Sequence, residues 1–192
     1  MKPLDPLASV TLGRMHYLHA HGHEAAAHGQ ARTATLWNAY QDGQLLGADL
    51  CKALYIAWFE SFFPNSYLRT WQWREMFQAA GFARQGRPAG RPQRPITLYR
   101  AVGATRLARR LTRRHSKGDI PTPEYGWSWT SSLHDAHQLD AQSLATFGGS
   151  RMYTTTAPPA ALLAEILPNE WVLDTGTPGL TITPYTHERD QQ

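Results

Sequence analysis

The stretch ITLYRA, at residues 96–101, marks the point where the chain changes from helical to strand patterning. Its side chains alternate with a period of two, which predicts a half-buried strand on which Arg100 shares a face with Leu98. Pro158-Pro159 predicts the start of a short apolar helix that runs through Ile166. Further strands are predicted at residues 127–132, 151–156, 170–175 and 180–183, and a further helix at residues 134–146.

The sequence before ITLYRA follows a helical period instead. Apolar residues recur at three- and four-residue steps over residues 33–44, 49–62 and 66–80, and Gly81 stands where a C-terminal cap is expected. These three helices form a predicted helical lobe at residues 31–82. Because helices do not alternate regularly with the later strands, the sequence indicates the α+β class.

The composition predicts two further segments around this lobe. Residues 83–95 are rich in Gly, Pro and Arg without a hydrophobic period, which predicts a basic linker before a strand-rich domain at residues 96–192. Residues 1–30 are poor in large apolar side chains and predict a flexible N-terminal segment. We expect no metal site there, because its histidines are spaced too loosely for a tetrahedral site. The histidines that suggest such a site are His16, His19, His21 and His23, together with Glu24.

Positive charge is concentrated in one part of the chain. Eleven of the 19 basic residues, and none of the 15 acidic residues, lie between residues 84 and 118. Within this part, four arginines recur at helical spacing opposite an apolar face. Such a helix face is either simply solvated or binds a polyanion, which could be a dinucleotide diphosphate or a nucleic acid. The four are Arg106, Arg109, Arg110 and Arg113.

The chain carries no signal for a membrane or for an oxidising compartment. Its single cysteine, Cys51, cannot form an internal disulfide, and its richest apolar run, at residues 53–63, is interrupted by Glu60. A membrane-spanning helix needs about 20 predominantly apolar residues. We therefore expect a cytoplasmic protein without a membrane partner.

Three separated motifs carry the residue types that cleavage of a dinucleotide needs. They contain Arg100, the pair Ser128 and Thr130, and Glu170. A guanidinium can donate two parallel hydrogen bonds to a diphosphate. A carboxylate can stabilise the positive charge that develops on a ribose when its bond to nicotinamide breaks. A hydroxyl can hold that carboxylate, and an indole such as Trp129 can cover an aromatic ring.

The order of these motifs resembles the Arg-Ser-Glu signature of the ADP-ribosyltransferases. The stretches LYR at 98–100, GWSWT at 126–130 and EWVLD at 170–174 carry the resemblance. Residues 153–164 and the helical lobe are also similar to uncharacterised bacterial and phage proteins with ADP-ribosyltransferase-like domains. The resemblance implies a split β-sandwich that takes NAD as its substrate, in a toxin, a defence factor or a phage effector.

The resemblance also implies a role for each motif residue. Glu170, Ser128 and Arg100 become the catalytic residues, with Arg100 on phosphate or ribose and Ser128 supporting Glu170. The backbone at Ala101 would anchor the amide of nicotinamide. Together with Arg100 and Ala101, the predicted cofactor-binding set is Ser128, Trp129 and Thr130.

Two departures from the signature affect the predicted activity. Ala101 stands where glycine is common, and Pro168 stands where family members that modify arginine carry Glu or Gln. A proline can neither bind nor activate a guanidinium acceptor. The prediction is therefore an NAD-dependent mono-ADP-ribosyltransferase whose acceptor is a nucleobase, another protein side chain, a small molecule or water.

Two other functions stay open from the sequence. The first is a catalytically inactive domain that binds nucleic acid or a protein partner through its basic helix. The second is a glycoside hydrolase that uses Glu165 and Glu170 as paired carboxylates, although their spacing across Pro168 gives no reason for a facing geometry.

Overall fold

The structure is a computed structural model that describes residues 33–60, 68–103, 126–147 and 150–186. The chain divides into two compact units, with the boundary between Ala89 and Gly90. Four helices and eight strands in the described residues give a mixed α and β architecture. None of these helices is long and apolar enough to cross a membrane.

Three helices belong to the first unit. They are α1 at residues 33–41, α2 at Gly47–Glu60 and α3 at Thr70–Ala80, which confirms the three helices predicted from the hydrophobic period. Their core is aromatic: the ring of Trp58 packs edge-on against Trp73 at 5.1 Å and against Phe77 at 5.5 Å. All three side chains are buried, so the aromatic stripe of this lobe serves packing.

A short hairpin ends the first unit. Strands β1, Ala83–Arg84, and β2, Arg87–Pro88, pair antiparallel around Gln85 and Gly86, whose φ angles are 49° and 74°. Two successive positive φ angles are what a type I′ turn requires. The first half of the predicted linker therefore forms a hairpin in the structure. The sequence pattern did not predict it, because a two-residue turn forms without any hydrophobic period.

Six strands lie side by side in the second unit, in the order β6-β7-β4-β3-β5-β8 with every neighbouring pair antiparallel. The five strands predicted from the sequence all overlap with members of this set. The six are β3 at Ile96–Gly103, β4 at Ser128–Thr130, β5 at Ser150–Ala157, β6 at Leu162–Leu167, β7 at Glu170–Leu173 and β8 at Ile182–Pro184.

The helix predicted from Pro158 to Ile166 is wrong. A 3-10 turn at Pro159–Ala161 is followed at once by β6, which pairs with β7. The consecutive residues Leu162, Leu163 and Ala164 are all buried. A strand buried on both faces has a continuous apolar sequence, which short periodicity cannot distinguish from a buried helix.

The helix α4, at Leu133–Phe147, packs on β3 and β5, in agreement with the helix predicted over residues 134–146. Ser132 caps its first turn, because its Oγ accepts a hydrogen bond from the Asp135 N–H at 3.2 Å. Ala136, fully buried, lies in the same turn. The cap follows β4 after one residue, so α4 and the end of β4 are positioned together.

Candidate functional site

The three motif strands are neighbours in the sheet. β4, with Ser128 and Thr130, lies between β3, with Arg100, and β7, which begins at Glu170. Tyr99 pairs with Thr130, and Thr130 pairs with Glu170 on its other side. Residues far apart in sequence are therefore within two strand spacings, or about 10 Å, of one another.

The register brings Thr130, more closely than Ser128, to Glu170. Thr130 stands directly opposite Glu170, where Cβ atoms are typically about 4.5–5.5 Å apart, whereas Ser128 is a diagonal neighbour at about 7–8 Å. All three side chains leave the sheet on one face. The Thr130 Oγ1 accepts a hydrogen bond from the Ser132 N–H at 3.1 Å, which does not use the hydroxyl's own proton.

Arg100 occupies a gap between two strands. Within the described residues, Tyr99 and Thr130 form the single pair that joins β3 to β4, while β3 continues to Gly103 on β5. Beyond that pair, Arg100 Nη1 donates a hydrogen bond to the Ser128 carbonyl. Because Arg100 leaves β3 on the face opposite to Tyr99, the guanidinium lies at the gap and not on the face that carries Glu170.

Glycine is required at position 126 by the approach of this guanidinium. A Cβ atom on Gly126 would stand 2.7 Å from Arg100 Cζ and 3.1 Å from its Nη1, too close for an ordinary contact. Trp129 Nε1 donates a hydrogen bond to the Gly126 carbonyl at 2.7 Å. Trp129, predicted to cover the ring of a cofactor, is buried and holds the backbone against which Arg100 lies.

Burial perturbs the charge of Arg100. Loss of hydration lowers the pKa of its guanidinium to about 10, so the group remains a cation at neutral pH. Its Nε is inaccessible to solvent and has no hydrogen-bond partner in the part of the chain that the structure describes. A desolvated cation with unused donor capacity favours a bound anion.

The turn before Glu170 fixes its backbone position. Ser131 N–H donates to the Asn169 carbonyl at 2.9 Å, Ser131 Oγ donates to Asn169 Oδ1 at 3.1 Å, and Trp171 Nε1 donates to Ser131 Oγ at 3.1 Å. Asn169 has a φ of 68°, which suits the Pro168-Asn169 sequence of a tight turn. Sequence reasoning missed Asn169 as a positioning residue, although Pro-Asn directly before the strand predicted at residues 170–175 could have identified the turn.

The second carboxylate is not a cross-strand partner of Glu170. Glu165 on β6 pairs with Trp171, whereas Glu170 pairs with Leu167, and a β-bulge separates these two pairs. A bulge interrupts the alternation of side chains along a strand, so the register does not define a shared face for the two carboxylates. The pairing therefore gives no support to a glycoside hydrolase, in which two carboxylates must flank one substrate.

The remaining predicted site residues are only partly described. Ala101 pairs with Met152 of β5 and is half-buried. Within the described ranges, no group of three or more His, Cys, Asp or Glu side chains could hold a metal ion. The four arginines of the predicted basic helix, Arg106, Arg109, Arg110 and Arg113, and the histidines of the N-terminal segment, lie outside the described residues.

Comparison with known proteins gives no match: no protein-family model, no curated protein and no solved structure matches the chain. The function must therefore be argued from the geometry of the site.

Proposed function

We propose that the second unit is an ADP-ribosyltransferase-like domain with a split β-sandwich fold, which binds NAD and cleaves the bond between nicotinamide and ribose. One observation carries the proposal: the half-buried, cationic Arg100 fills the gap between β3 and β4, and only β4 separates β3 from β7, which carries Glu170. An anionic dinucleotide whose ribose carries a leaving group is a substrate that needs both groups.

Arg100 binds the diphosphate in this proposal. The hydrogen bond to the Ser128 carbonyl uses one edge of the guanidinium, and Nε has no partner among the described residues. Because Nε is closed to solvent, a phosphate oxygen accepts from this unused edge once β3 and β4 open further at the gap, and its charge then offsets the cost of desolvating the cation. NAD thus adds a counter-charge to Arg100.

Glu170 stabilises the reacting ribose. When the bond between ribose C1′ and the nicotinamide nitrogen breaks, the electron pair leaves with nicotinamide and positive charge builds on the ribose ring. A carboxylate lowers the energy of that charge most when it needs no reorganisation, and the hydrogen bonds of Ser131 and Asn169 hold the backbone of the turn from which Glu170 projects. Thr130, directly opposite, can donate its hydroxyl to the carboxylate.

The acceptor completes the reaction by forming a new bond to C1′ and losing a proton. Pro168, in the turn before Glu170, has no side chain that could bind an arginine acceptor. We therefore propose transfer to a nucleic acid, to another protein side chain or to a small molecule, with hydrolysis by water as the default.

Exchange of Glu170 for Gln tests this function. The variant keeps the size of the side chain but removes its charge, so nicotinamide release, followed by chromatography, should fall by a factor of about 10² to 10³. NAD affinity, measured by calorimetry, should persist because Arg100 is unchanged. Glu165→Gln is the matched control and should retain its turnover, since Glu165 pairs with Trp171 and not with Glu170 or Thr130. Equal losses in both variants would contradict the assignment of Glu170.

A second function is favoured by one observation. Arg100 leaves β3 on the face opposite to Glu170, which suits a nucleotide-binding domain without catalysis. Wild-type protein that binds NAD and ADP-ribose, but releases no nicotinamide with nucleic acid or protein acceptors present, would favour this inactive domain.

A further inference from the structure

The β1–β2 hairpin of the first unit presents two arginines side by side. Arg84 and Arg87 are directly opposed across the pair of strands, and both side chains are exposed. Two guanidinium forks presented side by side on one exposed edge match the oxygens of a phosphate group.

The surface beside these arginines is concave and fixed. A shallow recess is lined by Tyr55, Arg84, Gln85, Arg87, Pro88 and Ala89. At the turn, Gly86 lies so close to α2 that a Cβ atom there would stand 3.0 Å from Tyr55 Cβ. Tyr55 in turn stacks on Phe59, with ring centroids 5.8 Å apart. The hairpin is thus seated on a helix, which holds the two arginines in place before any ligand arrives.

We propose that this hairpin binds the sugar–phosphate backbone of a nucleic acid strand. Arg84 opens the part of the chain, up to Gly118, that holds eleven basic residues and no acidic residue. Such a density of one charge matches a polyanion better than a single small anion. The Tyr55 ring is covered by Phe59 and by Gly86, so the contact is with phosphates and not with stacked bases.

The site binds strands without regard to sequence and does not depend on NAD turnover by the second unit. Its affinity arises from counterion release, so it weakens as salt rises. Each lost phosphate contact on a single strand reduces the slope of log affinity against log salt by about 0.7.

Fluorescence anisotropy with labelled oligodeoxythymidine tests the site in the full chain. The double variant Arg84→Gln, Arg87→Gln should reduce the slope of log affinity against log salt by about 1.4. If wild type and variant bind equally near 1 M salt, this change in slope is a loss of affinity of about 25-fold at 0.1 M salt. Charge-conserving Arg84→Lys, Arg87→Lys should keep the slope but bind more weakly, because lysine lacks the planar fork. All four exchanges are at exposed positions, and circular dichroism checks that the fold is kept.

A matched control removes two exposed charges that do not line the recess, by Arg69→Gln before α3 and Arg151→Gln on β5. It should leave the salt slope unchanged. Equal losses in the control and in the arginine variant would overturn the proposal, as would wild-type protein that does not bind the oligonucleotide. A polyglutamate peptide that displaces the strand and depends equally on Arg84 and Arg87 would also overturn it, since the hairpin would then bind an acidic protein.

Discussion

Exchange of Gly126 for Ala tests the seat of Arg100 without changing the arginine itself. The new methyl group would lie 2.7 Å from Arg100 Cζ, whereas ordinary contacts begin near 3.4 Å, so the guanidinium must withdraw by at least about 0.7 Å. Gly126 does not have a positive φ, so alanine strains no backbone there. The end of a long side chain can move where a backbone segment cannot, and we expect displacement of the arginine without unfolding.

Two effects on stability oppose each other in this variant. The Ser128 carbonyl loses a hydrogen bond to a charged donor, which costs about 1.5–3 kcal/mol. The released cation regains its hydration, which stabilises the variant. The lowering of the Arg100 pKa to about 10 by burial limits this gain in stability to at most about 3 kcal/mol. The gain is smaller than this limit because Arg100 is partly exposed. The net change should be within about 1 kcal/mol, or about 2–4 °C in Tm.

Ligand affinity has no such compensation. Loss of one charge-assisted contact of about 1.5–3 kcal/mol weakens binding roughly 10- to 150-fold. Calorimetry with NAD and with ADP-ribose should give the same loss, because both contain the diphosphate. The combination of an almost unchanged Tm with a large loss of affinity is the expected signature.

Two controls make this result specific. Gly90→Ala adds the same methyl group where no atom lies within 4 Å, and it should be silent in both assays. In an Arg100→Gln background, Gly126→Ala should have no further effect on affinity, because the two residues act through one contact. Full NAD affinity in Gly126→Ala, or additive losses in the double variant, would refute the reasoning.

Three further predictions concern other groups. ADP-ribose affinity should be constant near neutral pH and fall as pH rises through about 10, because only protonated Arg100 binds the diphosphate; calorimetry should show this fall in the wild type and not in Arg100→Gln. Burial raises the pKa of the Cys51 thiol, so a thiol reagent should label the protein only as it unfolds, with the same urea midpoint as circular dichroism. Ser131→Ala should lower the free energy of unfolding by about 1–2 kcal/mol and should lower kcat with KM unchanged. Asn169→Gly keeps the positive φ and should show the same loss of kcat, whereas a change confined to KM would contradict a positioning role.

The main elements of the fold could be predicted from the sequence where one periodicity dominates. The spacing of Met76, Phe77 and Ala80 in α3 follows a helical period, and the alternation of ITLYRA follows that of a strand. The prediction failed at residues 158–166, because a strand buried on both faces lacks alternation. It also missed the hairpin at Gln85-Gly86, where the turn and not the strands carries the signal.

The site could be predicted only at the level of its motifs. Their order led us to expect that Arg100, Ser128 and Glu170 belong together, and the strands that carry them are indeed neighbours. The sequence could not show that Thr130 stands opposite Glu170, because register depends on pairing between distant segments. Nor could it show the role of Gly126, because Arg100 approaches this residue only in the folded sheet, at the place where β3 and β4 diverge.

The environment of Arg100 departs from what stability alone favours. A half-buried cation lies between two strands, its Nε is closed to solvent and has no partner among the described residues, and a glycine leaves room for it. An apolar side chain of similar volume in such a position is often neutral or stabilising, because it avoids the cost of desolvating the charge. Departures of this kind are expected at functional sites, where the cost is offset when a ligand binds. Arg100 and Glu170 are both half-buried, but only Arg100 has a buried donor atom without a hydrogen-bond partner among the described residues, so it distinguishes a ligand-binding domain from an inert scaffold more strongly than Glu170 does.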